Sequence, residues 1–200
     1  MTISIIGSGS VGTALARQFA RSGVQVGIAN TRGPDSLAAI TEELGANVTP
    51  LTLRAALDAD VILLAVPFWS HREVAKAMAS WQGKIVIDVT NAYGVPLADL
   101  DNLPSSAVVA KALPGARVVK AFNHLPANVL AEDPVTAAGR RVIFLASDDE
   151  HATAAVAALV HQLGYAPVNL GGIAEGGQLV QARDKRWAPL IFQDLFKKEQ

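Results

Sequence analysis

The sequence contains no cysteine among its 200 residues. That excludes disulfides, thiolate metal sites, iron–sulfur clusters and cysteine nucleophiles. Charge is also scarce, at 18% of residues with a net charge of −1. No basic field exists to hold nucleic acid or an anionic membrane surface, and neither is expected as a partner. The longest apolar run, Val61 to Trp69, falls far short of the roughly 20 residues of a membrane span. The opening Met1-Thr2-Ile3-Ser4-Ile5-Ile6 lacks a basic leader, so the chain reads as cytoplasmic. There is no G-x-S-x-G elbow, no pair of carboxylates around a cleft motif and no histidine–carboxylate spacing for a metal. Hydrolase chemistry and a metal centre are not expected.

What is present is apolar and periodic. Half of the residues are hydrophobic, enough to close one core. Short β-branched runs alternate with alanine-rich helical stretches. Strands are expected at Ile3–Ile6, Val24–Ala29, Val48, Val61–Val66, Ile85–Val89, Val118–Ala121, Val142–Ala146 and Val168–Leu170. Helical sequence lies between them at 11–21, 36–44, 51–57, 72–81, 127–131 and 151–163, and again from about 178 to 198. This order implies βαβ units: an α/β fold with a doubly wound, Rossmann-type, mostly parallel sheet. A dinucleotide-binding domain is expected over 1–146, with a small C-terminal extension over 147–200 that completes the sheet and the acceptor site. The apolar residues Trp187, Leu190, Ile191, Phe192, Leu195 and Phe196 suit either core completion or a homodimer seam.

Gly7-Ser8-Gly9-Ser10-Val11-Gly12 fits G-x-G-x-x-G between the first strand and the first helix, which is the context the motif requires. Gly7 permits the turn, Gly9 lets a pyrophosphate approach the backbone, and Gly12 lets helix and strand lie close. Amide groups near Ser10 and Val11 then face the phosphates. About 20 residues on, an NAD site places a carboxylate for the ribose hydroxyl. Here stand Ala29-Asn30-Thr31-Arg32-Gly33-Pro34 instead. Asn30 and Thr31 can donate hydrogen bonds, and Arg32 offers a planar fork for a 2′-phosphate. NADP(H) is the expected cofactor.

Ligands of such sheets lie beyond the carboxyl ends of the strands. The fourth strand ends in Ala65-Val66-Pro67, an apolar wall for the nicotinamide ribose, and the fifth offers Thr90 and Asn91 near the carboxamide. The sixth ends in Lys120-Ala121-Phe122-Asn123-His124-Leu125. Polar candidates there are His71, Lys120, Asn123 and His124. His124 can be read as a general acid or as a packing residue, and Lys120 as a strand residue facing solvent.

The fingerprint, Asn30-Thr31-Arg32, Ala65-Val66-Pro67-Phe68, Asp88-Val89-Thr90-Asn91 and Val119-Lys120-Ala121-Phe122-Asn123 together resemble the NADPH:coenzyme F420 oxidoreductase family. They are also similar to the cytosolic NADPH domain of the STEAP metalloreductases. The resemblance implies NADPH at Ser8, Ser10, Val11, Thr31 and Arg32, with Val66 and Pro67 beside the nicotinamide. It implies an acceptor ring, coenzyme F420 or a flavin, over Asn123, His124 and Leu125. One departure is Asn123, a histidine in archaeal F420 reductases and an asparagine in the metalloreductase-like members. Three readings follow: hydride transfer to a flavin or deazaflavin, reduction of a small carbonyl with His124 as acid, and an NADP(H)-binding sensor without turnover.

Overall fold

In the computed structural model, which describes residues 1–137 and 139–181, β1 (Ile3–Ile6) lies at the middle of a six-stranded parallel sheet. The strand order is β3 (Val48–Pro50), β2 (Val26–Ala29), β1, β4 (Val61–Leu64), β5 (Ile85–Asp88) and β6 (Arg117–Lys120). The chain winds outward from β1 to β3, crosses back, and winds outward again to β6. That reversal puts a topological switch between β1 and β4, where a ligand crevice forms. Register is set by apolar residues facing both ways, with Ile5 opposite Ile28 and Leu63, and Ile87 opposite Val119.

The two faces of the sheet carry separate cores. Ile5, Ile28, Leu63, Ile87 and Val119 pack on α1 (Ser10–Arg21) and α7 (Glu150–Gln162). Ile6, Ile62, Leu64, Val86 and Val118 meet Trp81, Leu100 and Val109 on the other face. Ser4, buried within β1, is satisfied by donating to Ala56 O at 2.7 Å in α3 (Leu53–Leu57).

The strands and helices expected up to β10 form, with differences at their ends, while the helix expected from about 178 to 198 lies almost wholly outside the described residues. β2 begins at Val26, and α4 spans His71–Lys76 rather than running on to Trp81. α2 occupies Ala38–Leu44 after a 3₁₀ turn at Pro34–Leu37. An unexpected helix, α5 (Ser105–Ala112), starts directly after Pro104, which is suited to the edge of a first turn. After α6 (Ala127–Ala131) comes a second unexpected feature, a small hairpin of β7 (Val135–Thr136) and β8 (Gly139–Arg140).

β9 (Val142–Leu145) joins β6 through reciprocal bonds between Lys120 and Ala146 at 2.8 and 3.1 Å, running antiparallel to it. β10 (Ala166–Asn169) pairs parallel to β9. α7 is capped as its sequence suggests, Asp149 accepting from Ala152 N at 2.7 Å. Its residues Ala152, Val156, Leu159 and Val160 share one core with β1 and α1, so this helix builds no core of its own. α8 (Gly176–Leu179) follows. The apolar cluster from Trp187 to Phe196 lies outside the described residues. No helix among the described residues is long and apolar enough to cross a membrane.

One polar knot fastens the end of α6 to α1. The last carbonyls of α6 lack full helical partners, Val129 O accepting only from the C-cap Glu132 N at 3.3 Å. Gln18 Nε2 donates to Leu130 O at 2.6 Å and Glu132 O at 2.8 Å, and Arg21 to Glu132 O at 2.8 Å. Arg141 donates to Val129 O at 2.6 Å, and the Tyr165 hydroxyl to Leu130 O at 3.0 Å. Gln18→Leu removes two of these bonds and is expected to lower stability by about 2 kcal/mol in urea unfolding. An unchanged midpoint would show that the remaining donors suffice.

Candidate active site

At the switch, the backbone turns at Gly7 with φ +113°, and a Cβ there would fall 2.1 Å from Ala65 O. A Cβ on Gly12 would fall 1.9 Å from Gly7 O, so helix and turn lie in direct contact. Gly9 differs: a Cβ there meets nothing within 4 Å, because its Cα faces open space. Thr13 N makes the first intrahelical bond of α1, to Gly9 O at 2.9 Å. The amides of Ser10, Val11 and Gly12 precede it, without an intrahelical acceptor, and no side chain caps them. The result is an open helix N-terminus with room for an anion.

Asn30 holds the end of β2 against this loop. Its Nδ2 donates to Ser8 Oγ at 2.9 Å and to Ser36 Oγ at 3.0 Å, while its Oδ1 accepts from Arg32 N at 2.9 Å. This turn leaves Thr31 and Arg32 exposed beside the glycine loop. The Arg32 guanidinium forms no ion pair with any described residue. The first carboxylate after β2 is Asp35, inside the 3₁₀ turn.

Between the tips of β1, β4 and β5 lies a cleft of about 260 Å³, lined by residues 9–11, 65–68 and 89–91 together with Tyr93. Among these, only Tyr93 carries an acid–base side chain. Wider clefts occur elsewhere, about 440 Å³ below β1 and β2 and about 710 Å³ at the tips of β9 and β10. Beside the first, the short helix α3 is already capped by the Thr52 hydroxyl. At the second the N-terminus of α7 is closed by Asp149. Of these three, the switch cleft alone meets an uncapped helix N-terminus.

Beneath the cleft runs a buried polar layer. Asp88 and Lys120 face each other across β5 and β6, both fully buried, with Nζ to Oδ2 at 3.0 Å. Burial pushes the Lys120 ammonium below its ordinary range, and Asp88 opposes that shift. Phe122 adopts φ +62° and turns its ring into the core against Tyr165, 6.1 Å between centroids. The turn returns Asn123 to the β5 tip: its Nδ2 donates to Asn91 Oδ1 at 3.1 Å and to Val180 O at 2.8 Å. Asn91 Nδ2 donates back to Asn123 O at 2.8 Å.

The sequence profile of the family described as "NADP oxidoreductase coenzyme F420-dependent" matches residues 2–92, from β1 to just past the β5 tip. A hypothetical protein of Sinorhizobium meliloti, SMa0349, has a solved structure with 42% identity over 97% of this chain and 96% of that one, at a TM-score of 0.91. A structure from Arthrobacter sp. FB24, provisionally assigned as an F420-dependent NADP-reductase, matches at 26% identity over 86% of each chain, TM-score 0.72. The chain belongs to the F420-dependent NADP oxidoreductase family. An imine reductase of Aspergillus terreus shares the fold at 24% identity and TM-score 0.65, over 89% of this chain and 57% of that one. No curated protein matches the sequence.

In this family's fold the structure brings near one another the residues expected at the cofactor: the glycine loop, Asn30 to Arg32, Ala65 to Pro67, and Thr90 with Asn91. Ser8 and Asn30 bond each other, so part of their polar capacity holds the loop. The sixth-strand residues are placed differently. Asn123, His124 and Leu125 are all buried and lie behind the cleft rather than on it. Lys120, read as a residue facing solvent, is fully enclosed, because both faces of β6 are covered. His71 is enclosed too, donating from Nδ1 to Phe68 O if that nitrogen carries its proton. His151 and His161 are exposed on α7. Among the described residues no cluster suits a metal ion.

The His124 ring packs on Phe144, with Nε2 3.3 Å from Val142 O. Burial drives its pKa down to about 4, and the nearby Lys120 cation pushes the same way. Burial lowers His71 likewise. A histidine depressed on folding contributes its full stability above its unfolded pKa of about 6.5, and loses it as pH falls toward the folded value. Between about pH 7.5 and pH 5, His124 therefore removes on the order of 2 kcal/mol from the folded state. Urea unfolding of His124→Gln at the two pH values is expected to show a smaller acid loss than the parent. An equal loss would mean that the ring takes up its proton in place.

Proposed function

We propose that this chain binds NADPH along the β1–α1 turn and exchanges hydride with a planar flavin or deazaflavin acceptor of the coenzyme F420 type. The observation that carries the reading is the cleft itself. It lies at an open helix N-terminus, it is largely apolar, and among its described lining only Tyr93 has an acid–base side chain.

Each part of the cofactor finds a chemical counterpart. The amides of Ser10, Val11 and Gly12 suit the pyrophosphate, and the bare Cα of Gly9 leaves room for it. Arg32 and Thr31 suit a 2′-phosphate, with no carboxylate at the end of β2 to repel it. Val66 and Pro67 form an apolar wall, and Asn91 supplies polar groups for a carboxamide beside Thr90, whose own polar groups face Asp88 and Lys120. Enzymes of the same fold from Aspergillus terreus have been solved with NADPH, which supports the choice.

When bound, the nicotinamide supplies a hydride. A deazaflavin or flavin ring accepts it directly, so the protein's task is to exclude water and align two planes. Reduction of a carbonyl needs a proton donor at the cleft as well, and His124 is enclosed behind Phe144 and Val142. That enclosure removes His124 as the acid of the carbonyl reading and leaves the exposed Tyr93 hydroxyl as the acid–base group of the described cleft.

Titration with NADPH and NADH tests the cofactor, and F420 or FMN added to the NADPH complex tests the acceptor. NADPH is expected to bind at least tenfold more tightly than NADH. Arg32→Ala is expected to weaken NADPH by about tenfold or more while leaving NADH unchanged. Equal affinities in the parent would sink the cofactor assignment. Tight NADPH binding without oxidation by either acceptor would instead support a redox-sensing module.

A further inference from the structure

A fully enclosed ion pair is seldom a net gain in stability, since the desolvation of two charges offsets their attraction. An apolar pair of similar volume would pack as well at the ends of β5 and β6. What the Asp88–Lys120 pair does, and an apolar pair would not, is hold one residue by all of its polar groups. Asp88 Oδ1 accepts from Thr90 N at 2.9 Å and from Thr90 Oγ1 at 2.7 Å. Lys120 Nζ donates to Asp88 Oδ2 at 3.0 Å and also to the Thr90 carbonyl. The amide, hydroxyl and carbonyl of Thr90 are thereby all committed to the pair.

The chain leaves β5 at Asp88 and forms the cleft wall over Val89, Thr90 and Asn91. Neither Asp88 nor Lys120 lines the cleft. We propose that Lys120 and Asp88 are positioning residues, fixing the Thr90–Asn91 edge for the nicotinamide end of the cofactor while the adenosine end is held independently. The inference rests on the NADPH reading above. The separation follows from topology. The adenosine end depends on β1, α1 and the β2 tip, whereas the pair controls only the β5 and β6 tips on the other side of the switch.

Two ligands separate the halves: NADPH, followed by its nicotinamide fluorescence, and 2′,5′-ADP, which carries only the adenosine and the phosphates. The variant Asp88→Asn/Lys120→Met removes both charges together, so neither is left buried alone, and the introduced amide keeps an oxygen for Thr90. Lys120→Gln is measured alongside it, so that a folding failure in one variant leaves the other to decide. In a variant that unfolds cooperatively, 2′,5′-ADP is expected to bind within about twofold of the parent. NADPH is expected to bind about tenfold more weakly, with the fluorescence change on binding reduced. Unchanged NADPH affinity and fluorescence would overturn the proposal. An equal loss for both ligands would overturn it too, since it would mark a general structural role. A parent protein that binds neither ligand would instead overturn the cofactor reading itself.

Discussion

The site depends on a close approach of backbone to backbone at the centre of the sheet. Gly7 stands against Ala65 O, and Gly12 against Gly7 O, at separations that leave no room for a Cβ. This contact sets the direction of α1, and therefore where its free amides point. It also fixes the spacing between the tips of β1 and β4, which is the width of the cleft. Gly9, between the two crowded glycines, is open to the outside. One short loop thus holds two positions where a side chain cannot fit and one where a ligand can.

Around that contact, polar groups are used sparingly and in two ways. Those at the cleft or exposed beside the glycine loop have free capacity: the α1 amides, Thr31, Arg32 and part of Asn91. Those behind it are mostly committed to one another, as in the Asp88–Lys120–Thr90 cluster and the Asn91–Asn123 pair. The second set makes the first precise, because a cleft wall of irregular chain stays in place only if its backbone groups are partnered. Away from the cleft, the knot at the end of α6 partners backbone in the same way, tying the segment after β6 to Gln18 and Arg21 of α1.

Much of this is legible in the sequence, and the exceptions have specific causes. β1, β4 and β5 are short apolar runs with turn residues beyond them. The glycine loop is readable because its neighbours are an evident strand and an evident helix. Asp149 announces α7. Lys120 reads wrongly as a solvent-facing residue because its partner lies 32 positions away, in a strand paired only by tertiary structure. In a doubly covered sheet the alternation that would mark a solvent face is missing. Asn123, His124 and Leu125 are expected on the cleft because they follow a strand tip. The left-handed turn at Phe122 sends them behind it, and a phenylalanine gives no hint of positive φ. α5 is hidden because the short stretch between Pro104 and Pro114 shows little helical periodicity.

Asn30 shows why cofactor choice and loop geometry cannot be separated in this fold. The position is where an NAD site places its acid, and an asparagine there reads from sequence simply as the absence of one. In the structure it is an active connector, donating to Ser8 and Ser36 through one amide nitrogen and accepting from Arg32 N through its oxygen. A carboxylate could keep the last bond but would have no hydrogen to give the two serines. Ser8 would keep a bond only by turning its own hydrogen toward the acid, whereas Ser36, which already donates to the Asn30 oxygen and to Gly33 O, would stay anchored in the turn before α2. The residue that stands where an NAD site has its acid is therefore also one that ties down the glycine loop. On the proposed NADPH reading, one side chain then bears on both the adenosine end of the dinucleotide and the loop at its middle.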